Sequence, residues 1–442
     1  MTTIPITHSK NITSACDGFL LDIESWIISC IEAYQDAPPS NGHDQGTYTT
    51  SWATYIRATD DRSSVPFLKI LRDKIKTHFN DTAAWHHGYW KHHEVHHGTE
   101  HCELFLGTLY RIDATDEITC QQILDVAEHI GHWQKDIPDW FDWKSSVFRS
   151  IYLGTEKVAD APTAAINIPD HFRCVNLALL AFDITSHDQY RHLVETAFRP
   201  WAQAMTGNSV LPVALEPAGA LYTLNKDLDQ TYRKFAGEVP DLTEQVSRAE
   251  NLMASDAITA LLRGWKITGA GLFLHAAERL LDILSTQLHD PDAGSASDAI
   301  RCYRQITGET RYDKVVLHAV DTLVNIQVNT LSINPTPEKN PKVAGLGKRS
   351  DRPDWYEDEK PRCINPILLS LAAEIRDDVT YAILAIDLAR AYFQLARRVY
   401  PDGRNHGCSA RSVSAIARGH GRENHAGMIT AVLDPILNQY YN

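Results

Sequence analysis

The sequence predicts an all-α protein of paired antiparallel helices, and three observations carry the prediction. A short signature, Ile-Thr-Ser/Gly followed after three residues by an aromatic, recurs along the chain. Amphipathic stretches flank every copy. Alternating β-branched segments bounded by hairpin turns, the mark of a sheet protein, do not form a series.

The first copy is Ile184-Thr185-Ser186 with Tyr190, between the stretches Phe172–Phe182 and Leu193–Met205. Ile267-Thr268-Gly269 with Phe273 is the second, between Ile258–Trp265 and Leu274–Leu284. Ile306-Thr307-Gly308 with Tyr312 is the third, between Ala299–Tyr303 and Val315–Val324. A weaker fourth lies at Ile112-Asp113-Ala114, between Leu104–Tyr110 and Ile123–Ile130. Gly or Ser ends one helix, the turn launches the next, and the early aromatic packs back on its partner. Leu274, Ala277, Leu280, Leu281 and Leu284 recur at helical spacing. Such units bury their apolar faces by stacking side by side. Breaker-rich stretches at 36–46, 158–169, 216–241 and 334–361 read as long functional loops of one domain spanning 1–442.

Composition limits the function. Of 442 residues, 43% are hydrophobic and 22% charged, which is ordinary globular usage. A formal net charge of -14 leaves no basic excess for nucleic acid, so no nucleic-acid partner is expected. An acidic small ligand needs only a few local Arg or Lys. The eight cysteines are scattered singly, without a CxxC pair, and read as reduced core thiols. Neither a signal peptide nor a membrane-length apolar run is evident, which predicts a cytoplasmic protein with no membrane partner. Homo-oligomerisation is compatible with the sequence and not specified by it.

The repeated I-T-G-x-x-x-aromatic hairpins resemble the (α/α)6 toroids of carbohydrate-active enzymes: polysaccharide lyases, unsaturated glucuronyl hydrolases and six-hairpin glycosidases. The resemblance covers about residues 100 to 330 and concerns architecture, not a catalytic motif. It implies a site at one end of a barrel, made of helix ends and inter-hairpin loops. Fold alone does not assign function.

The segment from Trp85 to Cys102 holds seven histidines. Read as a helix, with residues advancing about 100° each, it sets His93, His97 and Glu100 in one arc, with Tyr89 and His86 on the same side. Two chemistries fit. A partly desolvated histidine beside Tyr or Glu transfers protons near neutral pH. Alternatively, His93, His97 and Glu100 ligate a divalent metal such as zinc, so the cofactor expectation is none or such a metal. His93-Glu94-Val95-His96-His97 also satisfies HExxH, but no further zincin feature accompanies it. Structural histidines paired with backbone and carboxylates are the plain alternative.

Two further clusters suit a sugar. Asp139, Trp140, Asp142 and Trp143 set carboxylates among aromatic rings, as do Trp85 and Trp90 in the histidine segment. Pyranose faces stack on such rings while acids take hydroxyl hydrogens; a capped and anchored chain segment is the plain alternative. Near the C-terminus Asn405, His406, Arg411, His420 and Arg422 lie among glycines and could clamp a carboxylate. Asp170, Arg173 and Asn176 lie at a predicted helix start, where capping is the plain explanation.

Together these residues suggest an enzyme acting on a small-molecule or oligosaccharide substrate, first a lyase performing β-elimination on a uronate. His93, His97 or His406 would be the base, Tyr89 the acid, and Asn405 or Arg411 the carboxylate neutraliser. A glycoside hydrolase of the same fold would draw its acids from Asp139, Asp142, Glu100 or Glu250. An isomerase or dehydratase on another small molecule, and a non-enzymatic helical scaffold, complete the alternatives.

Overall fold

The structure is a computed structural model that describes residues 2–39, 46–159, 161, 164–223, 244–289, 296–323, 330–333, 364–399 and 429–441. In chain order it begins with β1 (Thr2–Pro5), α1 (Ile12–Tyr34), α2 (Trp52–Thr59) and α3 (Val65–Asp81). Three two-residue strands follow: β2 (Trp85–His86), β3 (Tyr89–Trp90) and β4 (His93–Glu94). Next come α4 (Val95–Gly98), a π-wound segment (His101–Leu106), α5 (Gly107–Ile112) and α6 (Glu117–Ile130). After β5 (Phe141–Asp142), β6 (Val147–Phe148) and β7 (Tyr152–Leu153) come α7 (His171–Thr185) and α8 (Asp188–Gly207). The rest is α9 (Gln245–Ala254), α10 (Ala257–Thr268), α11 (Gly271–Leu284), α12 (Ala296–Thr307), α13 (Asp313–Leu323), β8 (Thr330–Ile333), α14 (Pro366–Arg376), α15 (Val379–Val399) and α16 (Asp434–Tyr440). The all-α expectation holds. The strands are short two-stranded pairings, β1–β8, β2–β3, β4–β7 and β5–β6. Among the described residues, no helix is long and apolar enough to cross a membrane.

The hairpin signature has a physical basis in each copy. Ser186, Gly269 and Gly308 adopt left-handed φ values of 55°, 72° and 75° and end their helices. Their N–H groups bond back to the carbonyls of Phe182, Trp265 and Arg304. The threonine before each closes the turn from the other side. Thr185, Thr268 and Thr307 donate their hydroxyls to the carbonyls of Ala181, Gly264 and Tyr303 at 2.7–2.8 Å. The same oxygens accept the N–H of His187, Ala270 and Glu309 at 3.1–3.2 Å. Tyr190, Phe273 and Tyr312 are buried behind their turns. At the weaker fourth copy Asp113 is extended at φ −147°, and its carboxylate instead takes Thr115 and Lys69.

Contacts divide the chain into two compact units. One contains residues 1–37, 48–65 and 285–442. In it α1 lies against α15, where Trp26 meets Phe393 edge-on at 5.7 Å and Trp52 at 6.1 Å. Asp22 holds Arg390 and Gln394 at 2.7–3.0 Å across that seam. Buried Arg301 bonds to Glu374, Ser370 and the Ala431 carbonyl, joining α12 and α14 to the C-terminal segment.

The other unit contains residues 38–47 and 66–284 and carries the candidate site. Phe172 of α7 stacks on Phe198 of α8 at 5.1 Å, and Phe198 meets Phe273 of α11 at 5.8 Å. This aromatic chain joins three helices, with Phe172 at the start of α7.

Candidate active site

The histidine-rich segment is not a continuous helix. His87 and Gly88 both have positive φ, 54° and 81°, which makes them the two central residues of a tight turn. That turn pairs Trp85 with Trp90 and His86 with Tyr89. The chain then extends, pairs His93 with Leu153 and Glu94 with Tyr152, and becomes helical only at Val95. The arc expected for His93, His97 and Glu100 therefore does not form.

Glu94 takes the place that the helical reading gave to Glu100. It is buried, accepts the N–H of His97 as helix cap, and contacts the Nδ1 atoms of both His93 and His97. Although burial opposes ionisation, the imidazoles hold its carboxyl well below the usual range. Glu100 instead faces Arg173, with Oε1 3.5 Å from Nη1, and both side chains are fully buried.

Tyr89 is buried and donates its hydroxyl to the Val126 carbonyl at 3.0 Å, and burial pushes its pKa well above the tyrosine norm. Trp85 and Trp90 pack edge-on against each other and on Phe79 at 4.8 and 4.9 Å. Trp140 is buried, its indole N–H on the Gly154 carbonyl. Asp139 pairs with Arg149, and Asp142 holds a turn through Lys144 N and Ser145 Oγ. Trp143 bonds to the Gly131 carbonyl and stacks on His192 at 5.5 Å. In this group the anchoring explanation matches every observed contact. Asn405, His406, Arg411, His420 and Arg422 lie outside the described residues.

Ionisable groups converge where α7 and α10 start beside the π-wound segment. Asp170 and Asp256 immediately precede α7 and α10, and Glu100 precedes the π-wound segment. Glu100 and Glu103 are three residues apart, as are Asp170, Arg173 and Asn176, a spacing that keeps side chains on one helix side. The Asn176 amide donates to Glu103 Oε1 at 2.8 Å and to Asp256 Oδ2 at 3.1 Å. Ser255 Oγ donates to Asp170 Oδ1 at 2.9 Å. Arg173 lies between Glu100 and Asp170, at 3.5 and 3.6 Å.

Within this network Asp256 is distinctive. Burial pushes its carboxyl from 3.8 up to about 6, against the opposing pull of Thr259, Arg263, Asn176 and Arg173. Its backbone is left-handed at φ 64°, a conformation that costs an aspartate about 1–2 kcal/mol. A carboxyl that keeps its proton to near-neutral pH is suited to donate it. Glu103 supplies a second carboxyl on the same bridging amide. The two bridged oxygens are consequently no more than about 6 Å apart.

Sequence reasoning singled out Arg173 and Asn176 as caps but missed Glu103 and Asp256. The one local signal was the Glu100–Glu103 spacing.

No protein-family model matches the chain, and no curated protein matches it. Among solved structures it is similar to an unsaturated glucuronyl hydrolase specific for heparin, at 12% identity and a TM-score of 0.48, over 82% of this chain and 99% of that one.

Proposed function

We propose that the protein cleaves glycosidic bonds, with Asp256 as proton donor and Glu103 as its partner carboxylate. The observation that carries this reading is the Asn176 amide bridging two carboxyls, one of which is protonated up to about pH 6. Glycoside hydrolysis needs this division: an acid for the leaving oxygen and a carboxylate for the anomeric carbon. The two nearest oxygens, no more than about 6 Å apart, favour the close carboxyl pair of retaining enzymes over the roughly 6.5–9.5 Å of inverting ones, with Glu103 as nucleophile. Asp256, deprotonated by the first step, then takes a proton from the water that releases the sugar. The saccharide substrate class rests on the hairpin signature, and uronate-containing oligosaccharides are the first substrates to test.

The elimination reading is less well served. Its acid, the hydroxyl of Tyr89, is committed to the Val126 carbonyl, and two of its three candidate bases, His93 and His97, contact Glu94 through Nδ1; the third, His406, lies outside the described residues.

Incubation with uronate oligosaccharides separates the two chemistries. Hydrolysis releases reducing ends without the ultraviolet absorbance of a new conjugated double bond, and Asp256→Asn lowers kcat on the order of 10²–10⁴. A gain in that absorbance, undiminished in Asp256→Asn, would establish elimination and remove Asp256 from the chemistry.

A further inference from the structure

We infer a divalent transition-metal site of the zinc class formed by His87, His129 and Asp136, with His86 as fourth ligand. It is separate from the carboxyl network above and does not depend on that reading. His87 is at the tip of the β2–β3 turn, His129 is on the last turn of α6, and Asp136 lies in the segment that follows. Three imidazole Nε2 atoms converge on the Asp136 carboxylate, from His87 at 2.7 Å, His129 at 2.9 Å and His86 at 3.6 Å. Ligand atoms of a tetrahedral zinc are about 3.3 Å from one another, given bonds of about 2.0 Å. The three N···O separations bracket that value; the His87 and His129 rings, stacked at 3.9 Å, would splay for both lone pairs to meet one ion, and the half-exposed Asp136 side chain has room to adjust.

The opposite nitrogens carry the argument further. His87 Nδ1 faces the Asp125 carboxylate at 2.8 Å, and His129 Nδ1 faces the Asp125 backbone carbonyl at 2.5 Å. With Nδ1 of each ring held from behind by Asp125, the Nε2 atoms of both rings are turned to the Asp136 carboxylate. A single divalent cation between them would meet both nitrogens and the carboxylate. Metal-binding histidines hold their second nitrogen in this manner, on a carboxylate or a carbonyl.

The His93–Glu94–His97 group differs. Its carboxylate is buried, contacts Nδ1 atoms and caps a helix, so its hydrogen bonding is accounted for without a cation. The inferred site also opens on a ligand-sized space. His86, His87 and Asp125 line a cavity of about 280 Å³, into which buried Trp85, His101 and Gln122 bring polar nitrogens without a protein partner.

The test is titration of the full chain, freed of metal by chelator, with Zn2+, and with Co2+ read by its visible absorption. One equivalent should bind, and cobalt should show the intense band of tetrahedral coordination. His87→Gln and His129→Gln should lower affinity roughly 100-fold or more, and Asp125→Asn, which acts through His87, roughly 10–100-fold. His93→Gln and Asp256→Asn should leave it unchanged. Asp136→Asn, at a half-exposed position, provides a ligand loss with little risk to folding, and circular dichroism checks every variant. Absence of stoichiometric binding to the wild type overturns the inference. So does binding that survives His87→Gln and Asp136→Asn, or that is lost in His93→Gln.

Discussion

Asp256→Asn should make the protein more stable above neutral pH while depriving it of its proton donor. The folded state holds the Asp256 carboxyl at about 6, against 3.8 for the free group. Folding therefore favours the protonated form. Below the unfolded value both states carry the proton and the group contributes no pH-dependent penalty. As pH rises through the folded value, ionisation at the buried position costs stability, and the full penalty is present above it. A shift of roughly two units corresponds to about 3 kcal/mol. Asparagine cannot ionise, tolerates the left-handed φ of 64°, and retains a carbonyl oxygen for the Asn176 amide. Urea unfolding of wild type and variant across the pH range gives the difference directly, and groups distant from the site cancel. The variant should gain relative to wild type by up to about 3 kcal/mol between about pH 4 and pH 7, then level off. A difference that stays flat with pH, or a variant less stable than wild type above pH 7, would refute the assignment of a raised carboxyl.

Other substitutions probe the framework. Ser186→Gly should raise stability by about 1 kcal/mol in thermal unfolding, because a left-handed serine stands where two sibling turns use glycine. Gly88→Ala should lower it by about 1–3 kcal/mol, since φ is 81° and the new Cβ would meet Val126 Cγ2 at 3.0 Å. Arg173→Leu should cost about 3–5 kcal/mol in urea unfolding, because fully buried Glu100 and Asp170 would lose their counter-charge.

The helical hairpins were legible because their signature is local chemistry. A threonine that bonds both ways, a left-handed residue and a packed aromatic all lie within seven consecutive positions, as at Ile184–Tyr190. The histidine segment was misread for an equally local reason. Histidine is indifferent between helix and strand, and the turn uses His87-Gly88 where Asn-Gly would have announced a hairpin. With the helix gone, Glu100 moved from His93 and His97 to Arg173, and Glu94 took its place beside the two rings. The carboxyl network was illegible because its members are distant in sequence. Asn176 joins Glu103 to Asp256 across 73 and 80 positions, and no spacing rule connects them. His129 and Asp125, four apart on α6, were a readable pair overlooked beside the denser histidines.

The central claim is most directly tested by the pH dependence of kcat/KM on an oligosaccharide the enzyme cleaves. With Asp256 required in its protonated form, the rate should fall as pH rises past about 6. A rate that climbs through that point, or the same falling limb in Asp256→Asn, would contradict it.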